Sequence, residues 1–355
     1  QLEGDYNDLL ISLENYVRSN YDKDKSGMDE AMLSYENSLY KISSTIPSAS
    51  ILKKETWYNK ANLFFISIIF YIIAFFAVCT SLLFWTNRLR GIALIITWLG
   101  IGSHAYGLYL RMLIMSRPPV TTLYESILFV SFIAVLCAMI IEYFRKDGLG
   151  ILIASVCGII FHYMSFGYAT DGDTLGMLVA VLNSNFWLAT HVTTITIGYG
   201  TSIVAGLMGH IYLLYAIIYP KRKNKLKSIY NNTFGVTILA LFFMVFGTIL
   251  GGIWGDQSWG RFWGWDPKEN GALLICMWQI FIIHLRLTDM VQSIGFAFGM
   301  IINNIIVVMA WFGVNLLSVG LHSYGFVSGI AVNLTIFTSF ELLTGIGTYL
   351  LVKFK

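Results

Sequence analysis

The chain has 355 residues, 56% of them hydrophobic and only 12% charged, with a formal net charge of +3 and a mean hydropathy of +0.68. Soluble domains carry roughly 25% charged residues, so this composition excludes a water-soluble globular fold. It calls for an all-α, polytopic integral membrane helical bundle surrounded by lipid, and no basic patch suited to nucleic acid offsets that reading.

The chain starts at Gln1 without a signal-peptide pattern, which leads us to expect a processed chain or the C-terminal part of a longer polypeptide. Residues 1–50 hold nine acids against four bases and read with the next ten as a polar extracytoplasmic segment, 1–60. Leu9, Leu10, Leu13 and Val17 recur at amphipathic-helix spacing there. From residue 61 to 355 the sequence reads as one transmembrane domain. A spanning helix needs about 20 mostly apolar residues, and nine runs qualify: 62–85, 91–114, 122–144, 149–167, 189–219, 234–253, 271–287, 295–317 and 326–352.

Lys and Arg in short connections set orientation. Arg88, Arg90, Arg145, Lys146, the run Lys221–Lys227, Arg286, Lys353 and Lys355 fall on one side, and only Arg111, Arg117, Arg261 and Lys268 on the other. The expected topology has the N-terminus extracytoplasmic and the C-terminus cytoplasmic. Cys79, Cys137, Cys157 and Cys276 all sit in apolar runs with no CxxC, and read as small buried hydrophobes.

Between the sixth and seventh runs lies "WGDQSWGRFWGWDPKE", 254–269, on the outer side. Four of the chain's ten tryptophans fall within twelve of these residues. An interfacial aromatic belt would scatter them over many spans, whereas a surface for a flat, apolar ligand would gather them. Trp254, Trp259, Trp263 and Trp265 supply aromatic area and indole donors. Arg261 and Lys268 are candidate partners for carboxylates, and Asp266 before Pro267 is a candidate N-cap. Gly247 and Gly251 form a GxxxG face in the sixth run. Of six histidines, His104, His162 and His210 lie within spans and read first as groups bonded inside the bundle. His191 and His322 lie at the outer surface beside the tryptophan segment. Two imidazoles there suit an axial pair for heme iron, a zinc site or a proton relay. His284 lies near the inner end of span seven.

The segment 254–269 resembles the tryptophan-rich WWD signature of heme-handling membrane proteins. Three flanking stretches resemble the CcsA/ResC family, the cytochrome c synthase subunit of the System II maturation pathway: "RMLIMSRPPVTTLYESILF" (111–129), "WLATHVTTITIGYG" (187–200) and "WFGVNLLSVGLHSYGF" (311–326). The likeness runs in order from about residue 91 to 326 and leaves residues 1–60 uncovered. It implies a holocytochrome c synthase that takes heme b as substrate and bound ligand and joins it by thioether bonds to the CXXCH motif of apocytochrome c. It implies His191 and His322 as outer iron ligands. Trp254, Trp259, Arg261, Trp263, Trp265 and Asp266 would contact heme. His284 would be one of a pair of membrane histidines whose partner comes from CcsB/ResB, fused or separate, with His104 the lesser candidate. Residues 1–60 would be the end of a fused CcsB/ResB part. Arg111 and Glu125 fall in a shared motif, either as an ion pair anchoring the outer loop or as heme contacts. Thiol-reducing proteins for the substrate cysteines, heme export, and a bacterial inner membrane with the active site on the periplasmic face complete the expectation. Two rivals stay open: a System I-like protein that delivers heme to a separate chaperone, and a transporter of another apolar ligand.

Overall fold

The computed structural model describes residues 2–42, 48–84, 86–169, 175, 184–317 and 330–354. The chain divides into two compact units, 1–61 and 62–355. In the first, α1 (Leu2–Tyr21) and α2 (Lys25–Ile42) pack as a hairpin, followed by α3 (Ala49–Ala61). Lys23 turns the hairpin in left-handed backbone, and Asp24 accepts the Ser26 amide at 3.1 Å. Of the apolar positions at amphipathic-helix spacing in α1, Leu10, Leu13 and Val17 are exposed.

The second unit is all-helical among its described residues, and the described residues include nine helices long and apolar enough to cross a membrane. They are α4 (Leu63–Phe84), α5 (Asn87–Met115), α6 (Leu123–Arg145), α7 (Leu149–Gly167), the run α8 (Asn185–Trp187) to α9 (Thr193–Ile218), α10 (Lys223–Trp259), α11 (Pro267–Leu287), α12 (Ser293–Val308) and, after the short α13 (Val314–Leu317), α14 (Ile330–Lys353). Every expected span has its helix. The sixth is far longer than the apolar run 234–253, because polar residues at both ends continue the helix: basic ones from Lys223 and the tryptophan-bearing turn to Trp259.

Helix α9 is the hub, packed against α6, α10, α12 and α14, while α4 packs on α5 and α7. Large apolar side chains such as Phe76, Phe242 and Leu343 point outward, as a lipid-facing surface requires. Among the described residues, two five-residue π-helical turns interrupt the regular spacing, Leu188–Val192 between α8 and α9 and Met309–Gly313 after α12. Such turns carry an extra residue in the helix and recur at functional sites.

The α6–α7 connection is closed by charge. Glu142 accepts the amides of Gly148 and Gly150 at 3.0–3.2 Å, filling orphan donors at the start of α7. Asp147 takes the Arg145 guanidinium at 2.7 Å and the Lys225 ammonium at 3.3 Å. Partial burial pushes the Asp147 carboxyl up, but the Arg145 hydrogen bond and charge, with Lys225, outweigh it and hold the group below the ordinary aspartate value.

Candidate functional site

One cavity, of about 200 Å³, gathers residues from stretches far apart in the chain. Its lining includes Val120–Leu123 and Ser126, His191 and Ile195, Tyr199, Thr248 and Gly251, Trp254 and Trp263, Lys268 and Glu269, and Trp311. Both π-helical turns open onto it, one through His191 and the other through Trp311.

His191 is fixed by its backbone neighbours. Its Nδ1 lies 2.8 Å from the Gly247 carbonyl oxygen. A carbonyl only accepts, so Nδ1 carries the proton and the imidazole lone pair is on Nε2, the tautomer a metal ligand needs. The ring lies against α10 because two small residues let it. A Cβ on Gly247 would stand 2.9 Å from Ile195 Cα, and one on Gly251 would stand 2.6 Å from His191 Cε1. The GxxxG pair thus sets the close approach of α9 and α10, and its second glycine is the floor under the imidazole.

Trp254 covers the ring from the side. It is buried, its centroid 5.7 Å from that of His191, and it stacks on Trp187 at 6.3 Å and 13°. The Trp187 indole donates to Gln257 Oε1 at 2.9 Å. Trp311 donates to Ser126 Oγ at 3.2 Å and lies 5.9 Å from the Tyr199 ring.

The tryptophan segment is less of a loop than its composition suggests. Helix α10 runs through Trp254 to Trp259, and Gly260 ends it in left-handed backbone. Only 260–266 is irregular. Asp266 caps α11, accepting the Lys268 amide at 2.9 Å, and Glu269 closes the capping box onto the Asp266 amide at 3.1 Å. Glu269 also accepts the Gly264 amide at 2.8 Å, so one carboxylate folds the whole turn. The Arg261 guanidinium lies across Gly264, where any Cβ would land on it. Trp265 is exposed, with positive φ, edge-on to Trp263 at 6.1 Å.

The wall at 120–126 rests on a buried ion pair. Arg111 Nη2 lies 2.7 Å from Glu125 Oε1, both side chains essentially inaccessible. The guanidinium also lies 5.1 Å from the Tyr124 ring centroid. Glu125 is at the same time the third residue of a capping box with Thr122, and it accepts from Thr121. The ion pair expected for Arg111 and Glu125 is present.

The structure therefore joins His191, Trp254 and Trp263 at the cavity. Trp259, Arg261, Trp265 and Asp266 belong to the adjoining turn but do not line it. His322 lies outside the described residues. His284 stands apart, on an exposed face of α11, its Nδ1 donating to the Ile280 carbonyl at 2.8 Å. His104 has both ring nitrogens engaged, by Tyr71 Oη at 3.3 Å and the Leu128 carbonyl at 3.1 Å, with His162 at 4.4 Å between ring centroids. Trp187 and Trp311 were not singled out from sequence, although each opens a stretch that carries the family likeness.

A polytopic helical membrane protein with one aromatic cavity at a histidine is the class these features define. The family model described as cytochrome C assembly protein matches residues 120–322, more than half of the chain. Protein NrfI of Wolinella succinogenes is 32% identical over 297 residues, 79% of this chain and 32% of NrfI. The cytochrome c biogenesis protein CcsA of Chlamydomonas reinhardtii is 32% identical over 221 residues, 59% of this chain and 61% of that protein. CcsA of Populus alba is 30% identical over 260 residues, 61% of this chain and 80% of that protein. The chain belongs to the cytochrome c assembly protein family, as a CcsA-type cytochrome c biogenesis protein. It spans about a third of the length of NrfI and 61% of the algal CcsA. A solved structure, "Cytochrome c Heme Lyase CcmF", shares the fold with a TM-score of 0.61 at 14% identity, over 81% of this chain and 50% of that one.

Proposed function

We propose that the protein binds heme b as its substrate at the cavity, ligates the iron through His191 and, from the opposite face, His322, and attaches the heme to the CXXCH motif of apocytochrome c. The observation that carries this is the His191 ring, tautomer-fixed by the Gly247 carbonyl and set in a cavity with Trp254 and Trp263. A porphyrin wants rigid aromatic area for its faces and a few donors at its propionate edge. Trp254, Trp263 and Trp311 offer the first; Lys268, with Arg261 in the adjoining turn, offers the second. A cavity of about 200 Å³ is below the usual range of about 300–1,000 Å³ for enclosed ligands. It would hold part of the macrocycle and leave its vinyl edge accessible to the peptide substrate.

The chain's residues then supply position. Each cysteine thiol adds across one vinyl group: sulfur bonds one carbon, the thiol proton goes to the other, and no electrons are gained or lost. Holding vinyl and thiol in one orientation accounts for the rate, and no nucleophile from this chain is needed. The outer side of the topology is the periplasmic face of a bacterial inner membrane, with residues 1–60 on that side. His284, exposed on α11, awaits a partner histidine from CcsB/ResB, and marks an inner station from which heme is exported. Thiol-reducing proteins keep the substrate cysteines reactive.

The test is the absorption spectrum of the purified, dithionite-reduced protein beside His191→Ala and His322→Ala, each with and without imidazole. A low-spin spectrum lost in either variant and restored by imidazole is the expected result. Heme binding that both substitutions leave unchanged would refute the assignment.

A further inference from the structure

The bundle interior below the cavity holds six polar side chains from four helices. Ser202, Gly206 and His210 lie at successive fourth positions and so form one stripe along α9, about 12 Å long at 1.5 Å per residue. Gln279 of α11 donates to Ser202 Oγ at 2.8 Å and, more weakly, to Asn303 Oδ1 of α12 at 3.4 Å. Asn304 lies directly on Gly206, where a Cβ would collide with its amide, and donates to Glu341 Oε1 of α14 at 3.4 Å. Glu341 Oε2 meets His210 Nε2 at 2.8 Å. Tyr199, one turn above Ser202, lines the cavity.

Such groups are costly within a bilayer and mark pathways or relays. Here the protein leaves three of them incomplete. Gln279 Oε1, Asn303 Nδ2 and Asn304 Oδ1 are buried and have no hydrogen-bond partner. Two of these atoms need a donor and one needs an acceptor. A cation would satisfy the oxygens and be repelled by the Asn303 amide N–H. Water both donates and accepts, and buried water characteristically completes such sets.

We propose that Ser202, Gln279, Asn303, Asn304, Glu341 and His210 hold a file of buried water that carries protons between the His210–Glu341 pair and the floor of the aromatic cavity. Uptake of one proton adds one positive charge to the pair, and release to the adjoining water restores it. Each transfer breaks one N–H or O–H bond and forms another. The pair has little competition. Helix α12 has no titratable side chain from Ser293 to Val308, and α10 has none from Thr233 to Ile249. On α14, Tyr349 packs on Phe298 and lies under Lys353. On α11, Cys276 faces Thr248, and Arg286 is bound to Asp289. On α6, Glu142 is bound to the Gly148 and Gly150 amides and Arg145 to Asp147. The ninth span thereby acquires a role, supplying the carboxylate.

The test uses the full chain in liposomes with a trapped pH-sensitive dye and an external acid pulse. Wild type should equilibrate several-fold faster than protein-free vesicles. Glu341→Gln should return the rate to that of empty vesicles. Gly206→Ala, which keeps both titratable residues and displaces Asn304, should do the same, so a folding defect in one variant does not decide the matter. Infrared difference spectra across the acid pulse should show a carboxyl change that is sensitive to D2O and missing in Glu341→Gln. A wild-type rate equal to that of empty vesicles, or a fast rate that both variants retain, would overturn the proposal. Neither readout depends on heme.

Discussion

His104 and His191 are both histidines against a helix backbone, yet they sit in opposite kinds of surroundings. His104, in the α4–α7 region, has each ring nitrogen claimed by the protein, one by a tyrosine hydroxyl and one by a carbonyl. It is completely buried and does not line the cavity at His191. His191, between α9 and α10, is pinned through Nδ1 and borders a cavity lined by tryptophan. The difference separates a histidine free to serve the proposed ligand role from one that fastens helices. One nitrogen must be fixed by the protein, and space must lie beside the ring.

The sharpest way to break that contrast is to remove the wall that shapes the space. Arg111→Ala leaves the Glu125 carboxylate buried without its ion-pair partner, which should cost about 3–5 kcal/mol in a detergent unfolding titration. Replacing both, Arg111→Met with Glu125→Leu, should recover most of the loss. It should retain a deficit of about 1 kcal/mol, because Glu125 also closes the Thr122 capping box. Single and double variants equal in stability would mean that the pair is not what supports the wall.

The second test acts on the ring itself. Gly251→Ala puts a methyl group 2.6 Å from His191 Cε1, while Gly235→Ala on the same helix meets nothing within 4 Å. Heme retained through purification should fall about tenfold or more in the first, equivalent to about 1.4 kcal/mol, and not in the second. Equal heme content in the two would detach the ring's position from binding.

The spans were readable because an apolar run of bilayer length has few alternatives in a chain this poor in charge. His191 and the crowded tryptophans were readable because those residue types are scarce enough to be weighed singly. Other features were hidden for geometric reasons. A π-helical turn leaves no mark in composition, so the placement of His191 and Trp311 on two such turns had to be seen. Glu125 looked like part of a motif with two readings. Its position three residues after Thr122 was a capping-box signal that sequence reasoning passed over. The segment 254–269 looked like a loop because it lies between two apolar runs and holds three glycines, but the helix carries on to Trp259. Ser202, Gln279, Asn303, Asn304 and Glu341 are single polar residues on separate helices, and only packing brings them together.

The third prediction returns to the other histidine. His104→Ala strands the Tyr71 hydroxyl and the Leu128 carbonyl, and leaving buried polar groups unpaired costs about 1–3 kcal/mol. Stability should fall by that amount while the heme spectrum stays that of wild type. Loss of heme without loss of stability would reverse the roles assigned to the two regions.

The smallest effect lies at the connection between α6 and α7, and it separates surface charge from the bundle interior. Asp147 has its carboxyl held below the ordinary value by Arg145 and Lys225 against partial burial. A group with a lowered folded pKa adds stability above its unfolded pKa and loses it as pH falls through the folded one. Asp147→Asn should therefore cost up to about 1 kcal/mol near neutral pH. The difference from wild type should hold down to about pH 5 and shrink below about pH 4, the ordinary aspartate value. High salt should reduce it at every pH, because the carboxylate and Lys225 are partly open to solvent. The cost of Arg111→Ala should barely respond to salt, since that pair is sealed from water. Equal salt dependence at the two sites would mean that the Arg111–Glu125 pair behind the cavity wall is as open to solvent as the connection.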